Sequence, residues 1–122
     1  MGWFKATPQG SPQKSQVAQL RFCGEQDGPP ERDLKERLVR FSRRDSSVEA
    51  AYLAQVVYGD QSPMNVALCL RTKFGADHGL AEKIGRIFGS IFGPREHLDI
   101  IFLDDEQEIE LAKVCLPFFD ER

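Results

Sequence analysis

Residues 48–74, VEAAYLAQVVYGDQSPMNVALCLRTKF, form the most apolar part of the chain and decide its fold. In the second half of this stretch, apolar side chains recur at every second position on one face: Met64, Val66, Leu68 and Leu70. Ala67 and Cys69 make the opposite face apolar as well. A strand with two apolar faces belongs in the interior of a sheet, so we predict a central strand here.

The first half of the stretch predicts a second covered strand. One of its faces carries Val48, Ala50, Tyr52, Ala54, Val56 and Tyr58. Its β-branched and aromatic residues favour a strand, whereas good helix formers near its start leave a buried helix over residues 48–57 as the alternative. Between the two halves, residues 59–63 combine a glycine with a proline that cannot continue a central ladder, so the chain reverses there.

Two amphipathic helices flank this pair of strands. Residues 31–44 repeat apolar side chains at helical spacing: Leu34, Leu38 and Phe41. The opposite face of this helix is basic, with acids early and cations late. We interpret it as a solvated face that suits the helix dipole rather than as a nucleic-acid site. Residues 77–92 begin with Asp77 as a candidate N-cap, and their apolar stripe consists of Leu80, Ile84, Ile87, Phe88 and Ile91.

Glycines interrupt the second helix at regular spacing. Gly85, Gly89 and Gly93 recur every four residues. An interior glycine costs a helix up to about 1 kcal/mol relative to alanine, so the spacing predicts a packing or functional reason. We expect these small residues to let the back of the helix approach a neighbouring element. Gly85 and Gly89, with His78 and His97, are the candidates for lining a pocket.

Three further elements complete the predicted domain. Residues 17–23 and residues 97–103 have the apolar content of strands. Asp104 and Asp105 open a last helix, which ends at Pro117. The predicted inner stripe of this helix is Ile109, Ala112 and either Cys115 or Leu116.

The predicted element order is strand, helix, strand, strand, helix, strand, helix. Its first six elements match the βαββαβ ferredoxin-like arrangement, in which the first and third strands are central and both helices cover one face. We therefore predict an α+β fold, a two-layer sandwich with an added C-terminal helix. We expect residues 17–122 to form this single domain. Residues 1–16 are expected to form a flexible tail, whose Trp3 and Phe4 dock either on the domain or on a partner.

Net charge and cysteine spacing indicate which partners and which cellular compartment to expect. The chain has a formal net charge of −3, which argues against a general affinity for nucleic acid phosphates or for anionic membranes. Its three cysteines, Cys23, Cys69 and Cys115, are widely spaced, as is typical of reduced thiols in a cytoplasmic protein. The sequence contains neither a targeting segment nor an apolar run of the length that a membrane span needs.

No residue pattern indicates catalysis. His78 and His97 each stand beside an acid, but neither has a partner at metal-ligand spacing. The glycines around Ser90 match neither the phosphate-binding nor the serine-nucleophile signature. We predict no catalytic residue, no metal and no cofactor, and the patterns favour a protein that is not an enzyme without deciding the matter.

The C-terminal end of the sequence is acidic. Over residues 96–122, nine acids face two cations, and this asymmetry suits a protein partner or a homo-oligomer. Phe118, Phe119, Asp120 and Arg122 are the candidate contact residues, because aromatic side chains flanked by charge are typical anchors. The alternative is that both phenylalanines close the core.

Several short motifs point to a known family. Residues 48–52 (VEAAY), 98–105 (LDIIFLDD) and 117–122 (PFFDER), with the loop and helix over residues 24–38, resemble the C-terminal domain of the SseB (enhanced serine sensitivity) family. The resemblance covers residues 22–122. It implies a cytoplasmic bacterial protein connected by name with serine metabolism, and it brings no established catalytic residues with it.

Two functions from different classes follow from these observations. The first is a non-enzymatic binding or regulatory module that contacts a protein partner through a sheet face or through its C-terminal segment. The second is a small-metabolite-sensing domain or a small enzyme, with a pocket beside the glycine-rich helix. The two differ in whether a concave, polar-lined pocket exists.

Overall fold

The computed structural model describes residues 20–59, 63–93, 96 and 98–122. Several predictions lie outside these described residues: the tail over residues 1–16 with Trp3 and Phe4, the first three residues of the predicted first strand, residues 60–62 of the reversal, and His97. The described elements are β1 (Leu20–Glu25), α1 (Pro29–Arg44), β2 (Val48–Tyr58), β3 (Asn65–Thr72), α2 (His78–Phe92), β4 (Asp99–Phe102), α3 (Asp105–Ala112) and β5 (Phe119–Asp120). The predicted α+β class is confirmed.

The two long strands β2 and β3 form an antiparallel pair. This pairing confirms the strand interpretation of the first half and excludes the helical alternative. The register shifts between Val48 and Ala50, as a β-bulge does. Val48 therefore packs on the opposite side of the sheet from Ala50 and Tyr52, so the predicted common face begins at Ala50 and not at Val48.

The order of the strands across the sheet is β1-β2-β3-β4, and β5 pairs with β2. β3 is central, as predicted, but the first strand lies at an edge, so the expectation of a ferredoxin-like order with β1 in the centre is wrong. β1 alternates between half-buried and exposed residues along its length, which suits an edge strand, whereas β2 is buried on both faces. β3 and β4 run parallel and are connected through α2.

Helices cover both faces of the sheet, so the fold has three layers and the predicted two-layer sandwich is not observed. On one face, Leu34 and Leu38 of α1 and the apolar stripe of α2 pack on Leu53 and Leu68. On the other face, Leu111 of α3 and the nearby Cys115 pack with residues of β2, β3 and β4. The sheet is therefore the middle layer, with α1 and α2 on one side and α3 on the other.

Side-chain caps fix where the two later helices begin. The Asp77 carboxylate accepts a hydrogen bond of 3.1 Å from the Leu80 amide, which confirms the predicted N-cap of α2. At α3, Asp104 and Gln107 form a capping box, in which each side chain accepts a hydrogen bond from the backbone amide of the other. Because α3 starts directly after β4, this box fixes the entry of α3 onto the sheet.

Candidate functional site

A polar network connects α3 to the sheet and to the C-terminal residues. At its centre, the Glu108 carboxylate accepts a hydrogen bond of 2.6 Å from the Tyr52 hydroxyl and one of 2.8 Å from the Arg122 guanidinium. The Arg71 Nε lies 3.4 Å from Glu108 Oε1, an ion pair without a hydrogen bond. We call Tyr52, Arg71, Glu108 and Arg122 the Glu108 network. The network connects β2, β3 and α3 with Arg122, which follows β5.

The charges in the Glu108 network compensate one another. Burial disfavours the Glu108 carboxylate, but the hydrogen bonds from Arg122 and Tyr52, together with the charges of Arg122 and Arg71, outweigh this cost and lower the pKa of Glu108. Burial, followed by the hydrogen bond to Glu108, raises the pKa of Tyr52 to about 12. Tyr52 therefore remains protonated and acts as a hydrogen-bond donor, which is a structural role.

Asp120 and Arg122, two of the predicted contact residues, bond within the chain. The Arg122 Nε donates a hydrogen bond of 3.1 Å to Asp120 Oδ1, and this side-chain bond lowers the pKa of Asp120. Arg122 is also paired with Glu108. Asp120 and Arg122 therefore hold the C-terminal segment against α3.

Phe118 and Phe119 both pack against the core that contains α1 and α2. Phe119 is buried, and Phe118 is partly buried against the same cluster. The amide of Phe118 donates a hydrogen bond of 2.9 Å to the carbonyl of Ala51, which places the segment along β2. This burial fits the alternative in which the two phenylalanines close the core.

The predicted inner stripe of α3 faces outward instead. Ile109 is 61% exposed and Leu116 is 74% exposed, and Ala112 between them is exposed as well. The inner side of this segment is formed by Glu108 and Leu111 of α3 and by Cys115, which follows the end of α3 at Ala112. We call Ile109 and Ala112 of α3, together with Leu116 in the non-helical segment after it, the α3 stripe. The prediction of Cys115 as an inner residue is confirmed, whereas the inward placement of Ile109, Ala112 and Leu116 is wrong.

The glycines among the pocket candidates have open space beside them. A Cβ atom added to Gly85 or to Gly89 would meet no atom of a neighbouring element within 4 Å. The prediction that these glycines allow a close approach is therefore wrong. His78 is exposed at the first turn of α2, and the structure describes no contact that brings it near the two glycines.

A second polar pair lies at the opposite end of the face that α3 covers. The Tyr58 hydroxyl donates a hydrogen bond of 3.0 Å to the buried carboxylate of Asp99. Burial, followed by the negative charge of Asp99, raises the pKa of Tyr58. The pair connects β2 to β4 across β3, and the protonated tyrosine serves as the donor.

The described residues offer neither a metal-binding cluster nor a helix that could span a membrane. Within it, no group of three or more His, Cys, Asp or Glu side chains is placed to hold a metal ion. Among the described helices, none combines the length and the apolar character that crossing a membrane requires.

Sequence reasoning missed the Glu108 network and the outward α3 stripe. One signal was available: Tyr52 is a buried position with a hydroxyl, and a buried hydroxyl requires a partner. The partner, Glu108, is 56 positions away in the sequence, and the acids of α3 already had a sufficient explanation in the helix dipole.

Comparison with known families places this three-layer domain. A family model described as the SseB protein C-terminal domain matches residues 19–121. The chain therefore belongs to the SseB C-terminal domain family, which confirms the resemblance inferred from the sequence motifs. No curated protein and no solved structure matches the chain.

Proposed function

We propose that this domain is a non-enzymatic protein-interaction module of the cytoplasm, and that the α3 stripe is its contact surface. The observation that carries the proposal is the exposure of Ile109 on α3 and of Leu116 in the segment that follows it, while Leu111 and Cys115 of the same stretch are packed on the sheet. Large apolar side chains grouped on a surface mark interaction sites more often than scattered ones.

The rigidity of α3 supports this use. The capping box fixes its first turn, Leu111 is fully buried beneath it, and the Glu108 network holds its middle. A preorganised surface loses less conformational entropy when a partner binds. The outward side of α3 is therefore suited to binding without rearrangement of the domain.

A variant of the stripe tests the proposal. Leu116→Ser removes an exposed apolar side chain, so we expect a change of less than about 0.5 kcal/mol in the free energy of unfolding. Met64→Ser is the matched control, because Met64 is 51% exposed but lies beside β3 at the other end of the sheet. Affinity capture from a bacterial extract, quantified for the wild type and both variants, should give a partner that is lost with Leu116→Ser and retained with Met64→Ser. Equal capture by all three proteins would refute the proposal.

The alternative is a metabolite-sensing domain or small enzyme with a pocket beside α2. The open space around Gly85 and Gly89 gives this alternative less support than the α3 stripe gives the first. A thermal-shift panel of metabolites that includes L-serine separates the two. A rise in the unfolding midpoint with one ligand would favour the alternative, and a flat panel is expected for an interaction module.

A further inference from the structure

We infer that two copies of this chain associate through the outer edge of β4, so that their two sheets join into one. This inference goes beyond the proposed function and does not rest on the α3 stripe. Within the described part of the chain, β4 pairs with β3 and with no strand on its other side. A strand that pairs on one side alone presents a row of backbone N–H and C=O groups, which is a template for a further strand. The occupant of this edge is therefore an extended strand.

The backbone groups that point away from β3 are those of Ile100 and Phe102. The Leu103 amide donates a hydrogen bond of 2.8 Å to the Leu70 carbonyl, so the backbone of Leu103 faces β3. Because the N–H and C=O groups of successive residues in a strand point to opposite sides, Ile101 also faces β3, and its two neighbours face outward. In an antiparallel pair, two opposed residues that face each other in this way exchange both of their hydrogen bonds.

The side chains of β4 are those of an interior strand. Ile101 is buried on the face that α3 covers, whereas Ile100 and Phe102 pack, partly buried, on the face that α1 and α2 cover. Asp99 is the one charged residue of β4, and its carboxylate is buried and accepts a hydrogen bond within the chain. A strand with two apolar faces belongs in the interior of a sheet. Among the described residues, a single copy does not supply the neighbour that this pattern requires.

The opposite edge of the sheet, β1, is protected against such pairing. Arg21 and Glu25 are exposed charged residues of β1. The register of β1 with β2 shifts between Phe22 and Gly24, as a β-bulge does. Charged side chains and bulges hinder the pairing of an edge strand with other chains. Because β4 has a regular register with β3 and its charge is buried, association is expected at β4 and not at β1.

A second copy of β4 is the strand that fits this edge. Antiparallel pairing of a strand with itself across a two-fold axis makes the same contact twice, so the outward backbone groups of both copies find partners. With the axis at Ile101, Ile100 of each copy lies opposite Phe102 of the other. Each such pair covers two apolar side chains that are only partly buried in one copy. The approach brings no like charges of β4 together, because Asp99 is buried.

Sedimentation equilibrium of the full chain measures this association. Over protein concentrations of about 5–500 µM, we expect the apparent mass to rise from the chain mass of 13.8 kDa toward twice that value. Ile100→Lys places a charge on the edge of each copy and should raise the dissociation constant at least about tenfold. Phe22→Lys is the matched control, because Phe22 is an equally apolar, partly buried residue of the other edge strand, β1. This control should leave the dissociation constant within about twofold of the wild-type value.

Amide hydrogen exchange of the wild type tests the pairing without a substitution, so the inference stays testable if Ile100→Lys fails to fold. The amides of Ile100 and Phe102 should exchange at least about tenfold more slowly in the concentrated protein than in the dilute protein. The amides of β1 should exchange at the same rate in both.

Four results would overturn the inference. They are a wild type that stays monomeric over the whole concentration range, equal weakening by Ile100→Lys and Phe22→Lys, exchange of the two amides that does not depend on concentration, and association that Leu116→Ser abolishes. Full protection of both amides in the dilute monomer would show that the chain's own residues cover the edge. Association abolished by Leu116→Ser would show that the copies meet at the α3 stripe. A dissociation constant that Leu116→Ser leaves unchanged supports the β4 edge, whatever that variant does to the partner capture that tests the proposed function.

Discussion

Replacement of Glu108 by alanine tests the Glu108 network at its centre. The Glu108 side chain is only 13% exposed, and its removal leaves the Tyr52 hydroxyl without its acceptor and Arg71 without its inner counter-charge. A hydrogen bond to a charged group contributes about 1.5–3 kcal/mol, and a buried group left unsatisfied costs about 1–3 kcal/mol. Arg122 is partly exposed, so water hydrates its guanidinium once Glu108 is removed, and this limits the loss of stability. We expect Glu108→Ala to lower the free energy of unfolding by about 2–4 kcal/mol. For a domain of this size the unfolding midpoint should fall by on the order of 10–20 °C.

Glu110→Ala is the matched control on the same helix. Glu110 forms an exposed ion pair of 2.8 Å with Lys113, and exposed pairs of this kind contribute less than about 1 kcal/mol. Urea denaturation of both variants and the wild type measures the difference. If Glu108→Ala costs no more than Glu110→Ala, the Glu108 network does not hold α3 on the sheet and does not determine which side of α3 faces it.

The same carboxylate gives stability a definite dependence on pH. Because the folded state lowers the pKa of Glu108, its contribution is complete above the unfolded value of about 4.3 and is lost as the pH falls through the folded value. Stability of the wild type should therefore fall as the pH decreases from about 5, and Glu108→Gln, which has no charge to lose, should show a shallower decrease. Parallel pH profiles of the two proteins would contradict the assigned role.

Three further predictions follow from burial and open space. Gly85→Ala and Gly89→Ala should each raise the free energy of unfolding by about 0.5–1 kcal/mol, because the added Cβ meets no neighbouring atom and alanine favours the helix; a loss of stability in thermal unfolding would show a hidden contact. In urea titrations, Leu111→Ala should lower the free energy of unfolding by about 2–5 kcal/mol and Ile109→Ala by less than about 0.5 kcal/mol, because only Leu111 is buried. Equal losses would contradict the orientation of α3 in which Leu111 faces the sheet and Ile109 faces solvent. With a thiol reagent such as Ellman's, the native protein should show one fast-reacting thiol, that of the exposed Cys23, while the two buried thiols react only on unfolding; three fast thiols would contradict the described core.

The central strands were predictable from the sequence because their signal is local. Alternation of Val66, Leu68 and Leu70 and the apolar character of both faces together predict a central strand. Met64, which was predicted on the same face, lies before β3 and is 51% exposed. The cap at Asp77 was predictable for the same reason, since the capping residue and the amide that it accepts from are three positions apart. The sheet order depends instead on which long connections cross which face, and no short window of sequence contains that information.

The orientation of α3 shows why the rest could not be predicted. Apolar spacing alone favours Ile109, Ala112 and Leu116 as the inner side. The structure turns the helix so that Glu108 reaches Tyr52 and Arg71 on the sheet. A buried hydroxyl and a largely buried guanidinium require a counterpart, and that requirement outweighs the burial of the exposed isoleucine and leucine. The charges that decide the rotation come from distant parts of the chain.

The division of one edge of β2 between two short strands has a consequence for synthesis on the ribosome. β1 pairs with the second half of β2 and β5 with the first half, so the backbone at Ala50 and Ala51 gains its last neighbours only when residues 118–121 have emerged. Until then a nascent chain carries an open stretch of its most apolar strand, which is a template for pairing with other chains. Translation that stops shortly before Phe118 would therefore release polypeptides that aggregate. Pairing of β5 with β2 protects the strand from this aggregation.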